Sequence, residues 1–303
     1  MTPDPSFLFQ TTTHREALAA LLYGVLDEKG FMVITGEAGT GKTTLLSRML
    51  RMIPVDKVLF SLVLNPTLCA DEFLESALVD FGIEDIPPTK GRRLRKFQEF
   101  LMDARREGQI CVLVADEAHK LSDEVLEEIR LLTNFENADR KLLQIILAGQ
   151  PELRTILNKE ELRQVKQRIA VRCDLRALSG TEVAQYINFR WATAGADGQA
   201  PFDEGAVNVI ARASKGIPRV INALCDNSLT LIYATGDQFV NASHALQVAA
   251  DLDIRDVGLQ ALASEQKSAH SSAAMSLSGQ PTLPRLEPMQ PPIESRGLQV
   301  GPE

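Results

Sequence analysis

An apolar run, Phe31-Met32-Val33-Ile34-Thr35, leads into Gly36-Glu37-Ala38-Gly39-Thr40-Gly41-Lys42-Thr43 and then into an amphipathic stretch beginning at Thr44. That octapeptide is GxxxxGK[ST] in full. It has the strand before it and the helix after it that the motif requires. The chemistry explains the spacing. Glycines let the backbone curl so that successive N–H groups face inward as an anion cradle. The helix that follows adds partial positive charge at its N-terminus. Lys42 is spaced to reach β- and γ-phosphates, and the Thr43 hydroxyl to ligate Mg2+. Residues 36–44 are therefore expected to bind a nucleotide triphosphate, ATP, with Mg2+.

The rest of the chain fits around this loop. Further apolar runs occur at Leu59–Leu64, Ile110–Ala115 and Leu142–Ala148, with a shorter one at Arg172–Leu175. Runs apolar on both faces suit a parallel sheet covered by helices. Helix-length stretches at 71–81, 92–107 and 122–136 lie between them, a βαβα rhythm that predicts an α/β P-loop domain with a five-stranded parallel sheet. Beyond about residue 178 the strand signal stops. Residues 180–195, 203–214, 218–235 and 242–250 read as helices, so a small all-α lid domain is expected. The expected division is 1–178 for the nucleotide-binding domain, 179–254 for the lid, and 255–303 for a disordered tail. Half of the residues from Ser264 to Glu303 are Pro, Ser, Gly or Gln, too polar to offset their ordering entropy.

Composition narrows the function classes. The formal net charge of −8 argues against a surface coated in basic charge for nucleic acid. No apolar run approaches the ~20 residues of a bilayer span, and the opening segment lacks the basic and apolar regions of a secretory leader. Cys69, Cys111, Cys173 and Cys225 are far apart and contain no CxxC pair, so they read as small reduced hydrophobes. A cytoplasmic protein is expected, without a membrane span of its own.

Several polar residues follow the strands at positions where chemistry is done. The third run ends in Asp116-Glu117. Beside a P-loop this is the Walker B arrangement, with Asp116 holding Mg2+ and Glu117 polarising the attacking water. Asp116-Glu117-Ala118-His119 also spells a helicase box, but the second helicase domain is absent, and His119 reads as a helix-start residue. The fourth run delivers Gln150, placed to sense the γ-phosphate. Arg168, and as a second choice Arg172, lie in a basic stretch before the last strand and are candidates for a finger reaching a neighbouring subunit's site, worth about 10³–10⁵ in rate. Arg219 opens a helix behind Pro218, where its charge opposes the helix dipole, which favours a functional reason for it. The basic run Lys90, Arg92, Arg93, Arg95 and Lys96 reads as a solvated helix face opposite Leu94, Phe97 and Leu101.

The ordered motifs GEAGTGKT, VLVADEAH, LEEIRLLTNFEN, LAGQPELR, QRIAVRCDLRAL and GIPRVIN resemble the ExeA/GspA group of AAA+ ATPases, over about residues 1–250. The opening, PDPSFLF followed by THREALAALLYGV, is similar to the start of that group. The resemblance implies an ATPase acting with the cell envelope in secretion or polysaccharide export, as a homo-oligomeric ring or filament working on a membrane-bound partner. It implies nucleotide and Mg2+ roles for Lys42, Thr43, Asp116 and Glu117, first and second sensors in Gln150 and Arg219, and a place for His14 near the adenine. Many members of the group continue into a transmembrane helix and a peptidoglycan-binding domain, whereas here a polar tail follows. His119 stands where glutamine is more usual. Related TnsC/TniB-type ATPases regulate transposition on DNA; the acidic balance makes that role the less expected one.

Overall fold

The apolar runs become strands because helices bury them from both sides. In the computed structural model, which describes residues 5–254 apart from 64, 66, 138 and 139, β1 (Phe31–Gly36), β2 (Val58–Val63), β3 (Ile110–Ala115), β4 (Leu143–Gly149) and β5 (Val171–Leu175) form one parallel sheet in the order β2-β3-β4-β1-β5. The central strands β1 and β4 are buried at every position, whereas the edge strands are only partly covered, β2 with one exposed position and β5 with a single buried one at its end. That contrast explains why the edges carry the weaker sequence signal.

Side chains alternate across the sheet and feed two cores. Phe31, Val33, Leu113, Ile145 and Leu147 point to one face, against α3 (Ala70–Asp80), α4 (Lys90–Arg106), α5 (Asp123–Leu132), α6 (Glu152–Leu157) and α7 (Arg163–Arg168). Met32, Ile34, Val112, Val114 and Ile146 point to the other, against α1 (Thr12–Leu26) and α2 (Lys42–Met52). The helices present apolar residues at three- and four-residue spacing, as in Phe97, Leu101 and Ala104 of α4. Ser122 caps α5 by accepting from the Val125 N–H at 3.3 Å. The helix expected over 122–136 ends early, at Leu132. Thr133 turns its hydroxyl onto the Arg130 carbonyl at 2.6 Å, and Glu136 then pairs antiparallel with Lys141.

After β5 the chain is helical: α8 (Gly180–Thr193), α9 (Glu204–Ser214), α10 (Pro218–Thr235) and α11 (Ala242–Asp251). Val209, Ile210, Ile221, Leu224, Ala245 and Val248 are buried among them. The described residues belong to one compact unit, Met1–Leu259; the tail expected at 255–303 lies outside the described residues. The Leu178 N–H bonds the Gly216 carbonyl at 2.8 Å, tying the end of the α/β part to the turn before α10. Gly216 has φ +72°, and a Cβ there would fall 1.9 Å from the Leu178 carbonyl oxygen, so only glycine fits. Among the described residues no helix is long and apolar enough to cross a membrane.

One buried contact joins α1 to the phosphate loop. Thr11 caps α1, and its hydroxyl lies 2.7 Å from His14 Nδ1. His14 Nε2 lies 3.1 Å from the Thr40 carbonyl, which can only accept, so the Nε2 proton is donated there and Nδ1 accepts from Thr11. Burial lowers the His14 pKa, partly countered by the Thr40 carbonyl and by Glu182. The unfolded chain therefore takes up a proton that the folded ring resists. The stability due to neutral His14 is complete above the ordinary histidine pKa of about 6.5 and is lost as pH falls below it. Thermal unfolding is expected to show a larger drop in Tm between about pH 7.5 and about pH 5.5 for the wild type than for His14→Gln. Equal drops would show that the ring is not held neutral.

Candidate functional site

The phosphate loop is shaped as its sequence demands. Gly39 has φ +88°, and a Cβ there would come within 2.6 Å of the Arg219 Cβ. The loop closes on itself through the Thr40 hydroxyl, which donates to the Glu37 carbonyl at 2.8 Å. Glu37 and Ala38 are exposed, and Gly41 leads into α2, so Lys42, Thr43 and Thr44 occupy its first turn. Lys42 Nζ donates to the Gly36 and Glu37 carbonyls at 2.7 and 3.0 Å. Burial pulls the Lys42 pKa down, opposed by the carboxylates of Glu117, Asp116 and Glu37.

Asp116 and Glu117 directly follow β3, two strands from β1. The Thr43 hydroxyl donates to Asp116 Oδ2 at 2.7 Å, and the Glu117 N–H donates to Asp116 Oδ1 at 2.8 Å. A hydroxyl and a carboxylate thus stand side by side, the hard oxygen donors that suit Mg2+. Among the described residues there is no cluster of three or more His, Cys, Asp or Glu suited to a metal. Any ion here would fill its remaining positions with phosphate oxygens and water. Glu117 has φ +53°, a strained conformation for a residue with a side chain. Its carboxylate lies 3.1 Å from Lys120 Nζ and 3.7 Å from His119 Nε2. Burial raises its pKa, but Lys120, His119 and Lys42 outweigh that, and the net shift is downward.

Because β4 lies between β3 and β1, Gln150 emerges between the two motifs. Its N–H donates to His119 Nδ1 at 3.3 Å. His119 does lie in a starting turn, the short 3₁₀ segment Ala118–Lys120, but its ring also makes this contact, which the helix-start reading missed. Arg219, in the first turn of α10, donates its backbone N–H to the Gly39 carbonyl at 3.3 Å and lays its side chain over Gly39.

Other expected residues lie elsewhere. His14 is turned to the loop backbone, with Nδ1 beside the Thr11 hydroxyl and Nε2 beside the Thr40 carbonyl. The cavity of about 380 Å³ in this region is lined instead by Ser6, Leu8, Phe9, Gln10, Arg48 and Phe189, with Leu8 next to Gly41. Arg168 ends α7 in the open, and Ala170 bonds the Phe31 carbonyl at the start of β1. That is the far end of β1 from Gly36, about 16 Å along the strand at ~3.3 Å per residue. Arg172 is exposed on β5 and donates to the Lys166 carbonyl at 3.2 Å. Neither arginine reaches its own chain's phosphate loop. In the basic run, Lys90 pairs with Glu128 at 2.5 Å, Arg93 with Glu75 at 3.0 Å, and Lys96 donates to the Asp85 carbonyl at 2.9 Å. Only Arg92 and Arg95 of that run are exposed. Sequence reading also missed Arg154, which bonds Thr35 Oγ1 at 3.1 Å and pairs with Asp174 at 2.5 Å, tying the segment after Gln150 to β1 and β5.

Residues 25–157 match the family model described as an AAA domain. Over 263 residues, 85% of this chain and 47% of the relative, the sequence is 38% identical to general secretion pathway protein A of Aeromonas hydrophila. Over 132 residues, 43% of this chain and 39% of the relative, it is 30% identical to the ATP-dependent target DNA activator B of Escherichia phage Mu. The chain thus spans about half the length of the first relative and less of the second. The Aeropyrum pernix ORC2 protein, solved as ADPNP–ADP complexes, superposes with a TM-score of 0.56 at 17% identity, covering 82% of this chain and 72% of that one. At that identity the likeness speaks for the fold alone. The AAA-domain match and the strand order show a P-loop domain of AAA type, and over 85% of its length the chain is similar to the general secretion pathway protein A of Aeromonas.

Proposed function

We propose that the chain binds ATP with Mg2+ at residues 36–44 and hydrolyses it, and that the cycle drives or regulates assembly of a cell-envelope secretion or polysaccharide export system. The observation that carries the reading is the Thr43–Asp116 hydrogen bond beside Lys42 and Glu117, which joins the phosphate loop to the acidic strand end. Loop N–H groups and Lys42 hold the phosphates, Lys42 exchanging its bonds to the Gly36 and Glu37 carbonyls for phosphate oxygens. Thr43 and Asp116 hold Mg2+, which supplies positive charge against the phosphates. The cavity lined by Leu8, Phe9 and Phe189 takes the adenine. Glu117, kept ionised by Lys120, accepts the proton of the attacking water, and Gln150 orients that water. Arg219 meets the γ-phosphate, so the α8–α11 segment acts as a lid that registers nucleotide state.

Arg168 lies too far from its own loop to act there, which supports a role in a neighbouring copy's site and hence a homo-oligomer. Arg172, held by the Lys166 carbonyl, is the weaker candidate. The secretion reading follows the Aeromonas relative and places the chain in the cytoplasm, at the inner membrane through a partner. The phage relative favours a DNA-bound role, but the internal pairing of Lys90, Arg93 and Lys96 and the net charge of −8 weigh against it.

Glu117→Gln is expected to keep ATP affinity within a few-fold and to lower kcat by about 10²–10⁴-fold. Steady-state turnover and binding of a fluorescent ATP analogue check this, and undiminished turnover would remove the role assigned to Glu117. Arg168→Ala is expected to lose activity and to regain it when mixed with a Lys42→Ala, arginine-intact chain. Two inactive variants that stay inactive together would show that Arg168 is not donated between copies.

A further inference from the structure

Two contacts of His119 link parts of the site that come from different strands. Its Nδ1 accepts the Gln150 backbone N–H at 3.3 Å, across 31 residues of sequence. A nitrogen that accepts cannot also carry the proton in a neutral ring, so the proton sits on Nε2. Nε2 in turn faces Glu117 Oε2 at 3.7 Å, an electrostatic contact short of a hydrogen bond that a small shift would tighten. The ring is only 10% exposed, so it is wedged between the end of β4 and the 118–120 turn. Lys120 approaches the same Glu117 oxygen at 3.1 Å. The backbone of Glu117 is left-handed, so its neighbours, not an intrinsic preference, set where its carboxylate points.

We infer that His119 is a positioning residue that couples Gln150 to Glu117: the ring, protonated at Nε2, transmits the position of the β4 end to the carboxylate that receives the water's proton. This rests on the hydrolysis proposed above. When the Gln150 side chain turns to orient the attacking water, its backbone N–H carries the imidazole with it, and Nε2–H draws Glu117 Oε2 into line. A neutral ring is enough for this, because it needs one acceptor and one donor at fixed separation.

The experiment uses the full chain and two substitutions. His119→Phe keeps the ring volume but removes both polar atoms. His119→Gln keeps one acceptor and one donor on a planar amide. His119→Phe is expected to lower kcat by about 10–100-fold, with affinity for a fluorescent ATP analogue within about threefold of wild type. His119→Gln is expected to restore most of that loss. A second readout needs no turnover: in ¹⁵N-labelled protein without nucleotide, the His119 resonances, assigned by their loss in His119→Gln, should show Nε2 protonated and Nδ1 bare. Glu117→Gln should shift the Nε2 signal. A ring protonated at Nδ1, or a His119→Phe variant with wild-type kcat, overturns the coupling. So does a His119→Phe variant whose kcat and ATP affinity fall together, which would mark a general packing role. An inactive wild type with the expected tautomer would instead sink the hydrolysis reading and leave the contact standing.

Discussion

The hydrogen bond from the Thr43 hydroxyl to Asp116 holds the site together. Thr43 lies in the first turn of the helix after β1 and Asp116 directly follows β3, so the bond reaches across the end of β4. It is possible only with this strand order. The same order leaves Gln150 no place except between the two motifs. The central strands, buried on both faces, act as a rigid frame, and polar residues at their C-terminal ends are set beside one another. Ligands of open α/β sheets are bound at this edge of the sheet, outside the strand ends.

The all-α part meets the α/β part at the turn before α10, and its α8 packs Tyr186 and Phe189 against Phe9 of the N-terminal segment. The Leu178–Gly216 backbone bond brings the turn before α10 against the end of the α/β part, and Arg219 then bonds the Gly39 carbonyl and covers the loop. Glycine at 216 and at 39 makes both approaches possible. On the opposite side, His14 braces the same loop from α1 through Thr40. The loop is thus contacted by a buried ring at Thr40 and by an arginine at Gly39.

The sequence made the frame legible because its central strands are nearly continuous apolar runs, broken only by Thr35 in β1 and Gln144 in β4, and the loop motif is complete. The edges were harder: β5 alternates exposure and offers a short signal, and α5 stops at Leu132 because Thr133 bonds back and Glu136 pairs with Lys141 across the next turn. Contacts between residues distant in sequence were not legible. Nothing local tells that Lys90 finds Glu128, that Arg93 finds Glu75, or that Arg154 finds Thr35 and Asp174. For the same reason the contacts of His14 with Thr11 and the Thr40 carbonyl were not legible. His119 read as a turn residue, since its partner Gln150 arrives on another strand.

The account centres on a Mg2+-ATP site built by the union of the phosphate loop with Asp116. Calorimetric titration of ATP into the wild type and Asp116→Asn, each with and without Mg2+, tests it most directly. Wild-type affinity should rise when Mg2+ is present, and Asp116→Asn should bind ATP with little response to the ion. An equal Mg2+ response in the two proteins, or no ATP binding by the wild type, would contradict it.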